Sequence, residues 1–267
     1  MSLLPDYSGQ AKHYDRTRSA SPSVLKVLRE ALRGAPGRRL ADIGGGTGNY
    51  ALALASEGWE PIVVDRSPEM LAYAAAKGLD TLEADAQRLP FDDESFDAVT
   101  MISMLHHVED RGAALAQARR ILGAGGVLVL MGFAGEDADD LWILDYFPCS
   151  RPWMADTHPP RAAFLAELPT ATLDTFRFED MADASLAALS ADPKLVLRAA
   201  ENGQTSYFER LWRDHPRELQ AGLKRLREDI AAGRAPRRFG TATVLRWVKP
   251  APHAQEGGRA SSSTARA

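Results

Sequence analysis

The chain has 267 residues, 45% hydrophobic and 25% charged, with a formal net charge of −4, which suits one large globular domain carrying insertions or a small cap. No apolar run approaches the ~20 residues that cross a bilayer, and the first residues lack the basic and apolar regions of a signal peptide. Basic residues are interspersed with acidic ones instead of forming the stripe that binds nucleic acid, and one cysteine, Cys149, cannot form an intramolecular disulfide. These features point to a cytoplasmic protein with neither nucleic-acid nor membrane partners.

In chain order, Ser21-Pro22 predicts a helix N-cap followed by proline in the first turn, and Ser67-Pro68 repeats the device. Short apolar runs at 38–43, 60–65, 80–85, 96–103 and 125–133 predict strands, several apolar at consecutive positions, as strands covered on both faces are. Gly58 and Gly78 fall where helices should end, and 110–122 carries one apolar helical face. After Phe133 the texture changes. Residues 134–160 are acidic, aromatic and proline-rich without a clean period. A helix is expected from Pro159 or Pro160 to Leu168, an edge or antiparallel strand at 172–180, helices across 183–232, and a last strand at 241–248. The tail is small and polar, the composition of a disordered segment.

The stretch Ala41-Asp42-Ile43-Gly44-Gly45-Gly46-Thr47-Gly48-Asn49-Tyr50 sits between the first strand and a helix, where glycines admit a nucleotide. It fits two fingerprints, a dinucleotide loop and a methyl-donor loop. Asp65, at the end of the second strand, could accept ribose hydroxyls in either case. Three features favour the methyl donor. Asp42 would repel a pyrophosphate but attract an ammonium or sulfonium group. Asp85 and the Ala86 N–H could read an adenine edge. The fourth strand follows so closely that no room remains for the lysine or tyrosine motif of a dehydrogenase.

With "VVDRSPEML", "EADAQRLPFDDESFDAV", "LHHVED" and "ARRILGAGGVLVL" added in order, the chain resembles the class I S-adenosylmethionine-dependent methyltransferases. The nearest branch is the one acting on small molecules in ubiquinone and menaquinone biosynthesis. The resemblance covers about residues 38–133. It implies an α/β, Rossmann-like seven-stranded sheet in the order 3-2-1-4-5-7-6, strand seven antiparallel, with helical cap insertions. It places Gly44, Gly46 and Gly48 under the methionine part of S-adenosylmethionine, Asp42 near its ammonium, and Asp65 on the ribose. It also sets Arg66 and Asp85 with Ala86 about the adenine, and Ser103 facing the methyl group. Gly45, where relatives often carry another small residue, should alter packing only. Tyr14 and Arg18, in an N-terminal segment (1–36) expected to cover the donor, could close over the methionine carboxylate. Residues 37–133 form the donor-binding core, 134–250 the remaining strands and acceptor-binding insertions, and 251–267 the tail.

Transfer from a sulfonium is an in-line displacement that mainly needs alignment, and a hydroxyl or carbon acceptor benefits from a base. His106 is the candidate base, on the expectation that adjacent side chains diverge and only one of His106 and His107 enters the site. Two adjacent histidines without a further ligand do not make a metal site. Trp142, Leu144, Tyr146, Phe147 and Trp153 suggest an apolar or aromatic small-molecule acceptor, with the helical stretch around Tyr207, Phe208, Leu211 and Trp212 read as cap packing. The composition suggests a bacterial metabolite, and oxygen is preferred over carbon and nitrogen. A homodimer is compatible with this reading. The alternatives are an NAD-linked oxidoreductase and a donor-binding protein without catalysis.

Overall fold

The computed structural model describes residues 19–251. Tyr14, Arg18 and the polar tail lie outside the described residues. Ser21 caps helix α1 (Pro22–Ala31) by accepting from the Val24 N–H, and Pro22 occupies its first turn. The chain then alternates β1 (Arg39–Ile43), α2 (Asn49–Ala55), β2 (Glu60–Asp65), α3 (Pro68–Ala76), β3 (Asp80–Glu83), β4 (Phe96–Ile102), α4 (Arg111–Ile121) and β5 (Leu122–Gly132). Ser67 caps α3 through the Met70 N–H.

The sheet has seven strands in the order β3-β2-β1-β4-β5-β7-β6. Strands β1 to β5 pair in parallel, whereas β7 (Thr241–Val248) runs antiparallel to both β5 and β6 (Thr172–Arg177). This is the expected fold. The sheet buries both faces because alternate residues serve opposite cores. Ala41, Val99, Met101, Leu128 and Leu130 join Leu115 and Ala118 of α4 on one side. Leu40, Ala98, Val127 and Val129 meet Leu25 and Leu28 of α1 on the other. Strand β6 lies at the edge, largely exposed, with Leu173 and Phe176 partly buried against opposite cores.

Between β5 and β7 the chain builds a cap. Helices α5 (Ile143–Tyr146), α6 (Arg151–Thr157) and α7 (Arg161–Glu167) precede β6. Then come α8 (Leu186–Leu189), α9 (Pro193–Glu201), α10 (Ser206–Asp214) and α11 (Pro216–Ala231). Trp142, Leu144 and Phe147 pack with Phe208, Leu211 and Leu223 in a separate apolar cluster. Gly222 admits this contact: a Cβ there would stand 2.5 Å from the Tyr146 carbonyl oxygen and collide with the Phe147 ring.

One buried carboxylate fastens the cap to the sheet. Asp137, 1% exposed, accepts from the Ala134 N–H (2.8 Å), the Thr243 hydroxyl (2.8 Å) and the Thr241 hydroxyl (3.2 Å), and pairs with Arg161 at 2.7 Å. The end of β5, the start of α7 and β7 therefore share one acceptor. Removing it strands a half-buried guanidinium and three donors. We expect Asp137→Ala to lower unfolding free energy by about 3–5 kcal/mol, measured by urea titration. A loss below about 1 kcal/mol, ordinary for a surface pair, would refute this role.

Candidate functional site

The site forms at the carboxyl ends of the parallel strands, where the order reverses between β1 and β4. The loop after β1 is held against β2 by main-chain bonds from Gly44 and Gly45 to the Val64 carbonyl (2.7 and 3.2 Å). The Asp65 carboxylate completes the clamp, accepting from the Gly46 N–H at 3.0 Å and the Ser67 N–H at 2.9 Å. Lys77 supports the loop from outside, donating to the Thr47 carbonyl at 2.8 Å and the Asn49 side-chain oxygen at 2.6 Å. Nothing in the local pattern around Lys77 signals that role, because its partners lie some 30 residues away.

A cavity of about 250 Å³ lies beside this loop. Gly44, Gly46, Asp65 and Arg66 line it from β1 and β2. Asp85, Ala86 and Ser103 line it from the segments after β3 and β4. Gly46 has φ +56°, and a Cβ built on it would meet nothing within 4 Å, so bare backbone faces open space there. Asp85 accepts from the Gln87 N–H and side-chain amide at 2.9 and 3.1 Å, which fixes its carboxylate at the rim.

Asp42 and Gly48 do not line the cavity. Gly48 instead opens α2 with left-handed backbone. Asp42 is buried beneath the loop, where its carboxylate accepts from the Thr100 hydroxyl of β4 at 2.7 Å. A Cβ on Gly45 would stand 2.6 Å from Asp42 Oδ2, so the glycine makes room for that carboxylate. Burial pushes the Asp42 carboxyl up to about 6; the Thr100 hydroxyl opposes this shift and the charge of Asp65 adds to it.

A second cavity, of about 190 Å³, lies between the sheet and the cap. Phe133, Trp153, Met154, Phe176, Phe178 and Tyr207 give it apolar walls. Of the aromatics proposed from the insertion, only Trp153 reaches it. Trp142 and Phe147 are core residues, and Tyr146 turns away to donate to Asp229 at 2.8 Å. Tyr207, read from spacing as cap packing, does pack there and also lines the cavity. Its hydroxyl shares a hydrogen bond with Ser150 at 2.9 Å. Tyr50, from the glycine-loop motif, donates to Asp183 at 2.8 Å on the same wall.

The two cavities share Ile102, Ser103 and His107. Ser103 has φ +50°, a strained conformation for a residue with a side chain, and its N–H is held by the Met131 carbonyl at 2.7 Å. The turn that follows, Leu105–His107, is a 3-10 turn. The expectation that its two histidines diverge is wrong: both line the second cavity, with ring centroids 3.7 Å apart. Two rotatable bonds carry each ring well beyond its Cβ, so backbone divergence does not set ring position.

A third histidine joins them. His158 stacks on His106 at 5.0 Å, which the spacing of 52 residues concealed. Burial lowers its pKa to about 4, opposed by the Met154 carbonyl, so its imidazole is neutral at neutral pH. Arg111 ties the two walls together, donating to the carbonyls of Leu105 at 3.2 Å and Thr157 at 2.8 Å. Among the described residues no three histidine, cysteine, aspartate or glutamate side chains are placed to hold a metal ion. No helix there is long and apolar enough to cross a membrane.

Residues 41–130 match a family model described as a methyltransferase domain. A demethylmenaquinone methyltransferase of Mycolicibacterium gilvum is 35% identical over 133 residues, 48% of this chain and 58% of the relative. The chain thus aligns with little more than half the length of that curated relative. A structure from Anabaena variabilis, described as a methyltransferase from an antibiotic biosynthesis pathway, superposes with TM-score 0.72 at 24% identity, covering 86% of this chain and 98% of the other. A phosphoethanolamine N-methyltransferase of Haemonchus contortus, solved with S-adenosylhomocysteine, gives 0.54 at 16% identity, covering 91% and 57%. The likeness to class I S-adenosylmethionine-dependent methyltransferases near the quinone-biosynthesis branch is upheld by the family match and the aligned relative, and the fold by the structures.

Asp42 makes a pH-dependent prediction. Between its unfolded value of ~3.9 and its folded value of about 6, the native state binds more protons than the unfolded chain, so this group's contribution falls as pH rises. We expect wild type to lose about 2 kcal/mol relative to Asp42→Asn between pH 4 and pH 7, followed by urea unfolding. Parallel pH profiles would show that the carboxyl is not desolvated.

Proposed function

We propose that this protein transfers a methyl group from S-adenosylmethionine to a small, flat, largely apolar acceptor. Oxygen is the preferred methyl-accepting atom, ahead of carbon and nitrogen. The observation that carries this reading is the shared wall. A glycine-loop cavity suited to a nucleoside shares Ile102, Ser103 and His107 with an aromatic-walled cavity suited to a second substrate. The methyltransferase-domain match covers the strands that build the first cavity. The relative named for demethylmenaquinone supports a ring-bearing acceptor.

The residues of the first cavity fit the donor. Bare backbone at Gly46 lets a ligand approach closely, and Asp65, fixed by two N–H groups, offers acceptor sites for vicinal hydroxyls. Arg66, Asp85 and Ala86 form the adenine side, and Gly44 and Ser103 the methionine side. Asp42 and Gly48 shape the loop from behind. Tyr14 and Arg18 remain assigned to the cover by resemblance. When bound, the donor supplies a methyl group already activated by a sulfonium, so the protein's task is to align the acceptor and take up its proton.

The shared wall favours His107 over His106 as the proton acceptor, since only His107 lines both cavities. Its imidazole takes the acceptor's hydroxyl proton while the oxygen becomes the nucleophile. His106 lies between it and His158, whose imidazole burial keeps neutral. The NAD-linked and non-catalytic alternatives predict different ligands or no turnover.

Calorimetric titration with S-adenosylhomocysteine should show binding, and Asp65→Ala should weaken it by about 1–3 kcal/mol. Absence of wild-type binding at millimolar ligand would sink the donor assignment, and unchanged affinity in the variant would sink the role of Asp65. With methyl incorporation from labelled donor as readout, we expect His107→Gln to lower kcat about 10²–10⁴-fold and His106→Gln to lower it less. The reverse order would return the base to His106.

A further inference from the structure

The cap contributes to the second cavity a cation whose buried Nε has no hydrogen-bond partner within the protein. Arg210 of α10 lines the cavity, with its guanidinium carbon 4.5 Å from the centroid of the Trp153 ring. Its nearest carboxylate is Asp214, 3.5 Å from Nε, and no hydrogen bond joins them. Asp214 is committed elsewhere: Arg213 takes both of its oxygens, at 2.8 and 3.0 Å. Arg210 Nε is buried with no hydrogen-bond partner, and Trp153 Nε1 beside it is in the same condition.

The other charged groups on this wall do not remove the deficit. Asp183 accepts from the Tyr50 hydroxyl. Glu209 stands in the field of Arg213, whose guanidinium it stabilises in the charged form. Both unpartnered groups are donors, and a buried donor without an acceptor is costly. Guanidinium is also the side chain best suited to pair an oxyanion while lying flat on an aromatic face. His107 belongs to this same lining.

We propose that the acceptor carries an anionic oxygen group, a carboxylate or a phenolate, on an aromatic body, and that Arg210 with Trp153 receives it. This assignment rests on reading the second cavity as the acceptor site. The oxyanion would engage the guanidinium, and the ring would lie along Trp153 and Tyr207. The group that Arg210 holds thereby fixes which edge of the acceptor is presented at the shared wall.

The test is calorimetric titration of 2-naphthoate, 4-nitrophenolate at pH 8.5, and neutral 2-naphthylmethanol, with the protein alone and with S-adenosylhomocysteine. At least one anion should bind about tenfold more tightly than the carbinol, and the tighter anion identifies the group as carboxylate or phenolate. Arg210→Gln should abolish the preference while keeping its S-adenosylhomocysteine affinity, which also reports that it folds. Trp153→Phe should reduce the preference, and Arg213→Gln should leave it intact. Equal affinities for anions and carbinol, no anion binding, or a preference that survives Arg210→Gln would overturn the proposal. Bound S-adenosylhomocysteine without discrimination removes the anion site alone. Discrimination through Arg210 without S-adenosylhomocysteine binding removes the methyl-transfer reading instead.

Discussion

Across the seam between β1 and β4, Asp42 and Thr100 stand in register and share a hydrogen bond of 2.7 Å under the glycine loop. Here the strand order reverses, so the loops leaving the two strands part and open a cleft. The glycine loop stands over that carboxylate because Gly45 has no side chain to collide with it. Asp65 then draws the next turn toward β2. On the far side of the seam, β4 ends in the left-handed Ser103 and swings the histidine turn toward the cap. The first cavity, the second, and the wall between them all descend from this divergence.

Rigidity is distributed unevenly about that seam. The first cavity is built from main-chain bonds and one carboxylate anchored by two N–H groups, a preorganised arrangement with few rotatable parts. The second cavity is built from long side chains on separate elements, among them Trp153, Tyr207 and Arg210. Asp137 and Arg111 compensate by clamping the backbone that carries part of this wall, Asp137 to β7 and Arg111 to the histidine turn. A rigid sheet edge can thus stay fixed while the cap side chains facing it vary.

Much of the architecture was legible before any coordinates. Short apolar runs mark the sheet strands, and the runs at 60–65 and 241–248 match β2 and β7 residue for residue. Ser21-Pro22 and Ser67-Pro68 announced their helices because capping is a contact within three residues. The boundaries of β5 were less legible. It begins at Leu122, immediately after α4, because Leu122 pairs with Phe96 across the sheet, a constraint absent from the local pattern.

The sequence by itself determined the strand inventory, the glycine loop and Asp65, since each is encoded within a few neighbouring residues by periodicity, capping or backbone freedom. Tertiary structure decided where side chains from distant segments meet. It turned Asp42 under the loop and away from the cavity, and brought His158 onto His106. It also gathered Phe176, Trp153, Tyr207 and Arg210 around one space. These residues come from a β-edge, an aperiodic insertion and a cap helix. Their convergence depends on how the elements pack, and packing across such sequence distances leaves no repeat or spacing in the chain to read.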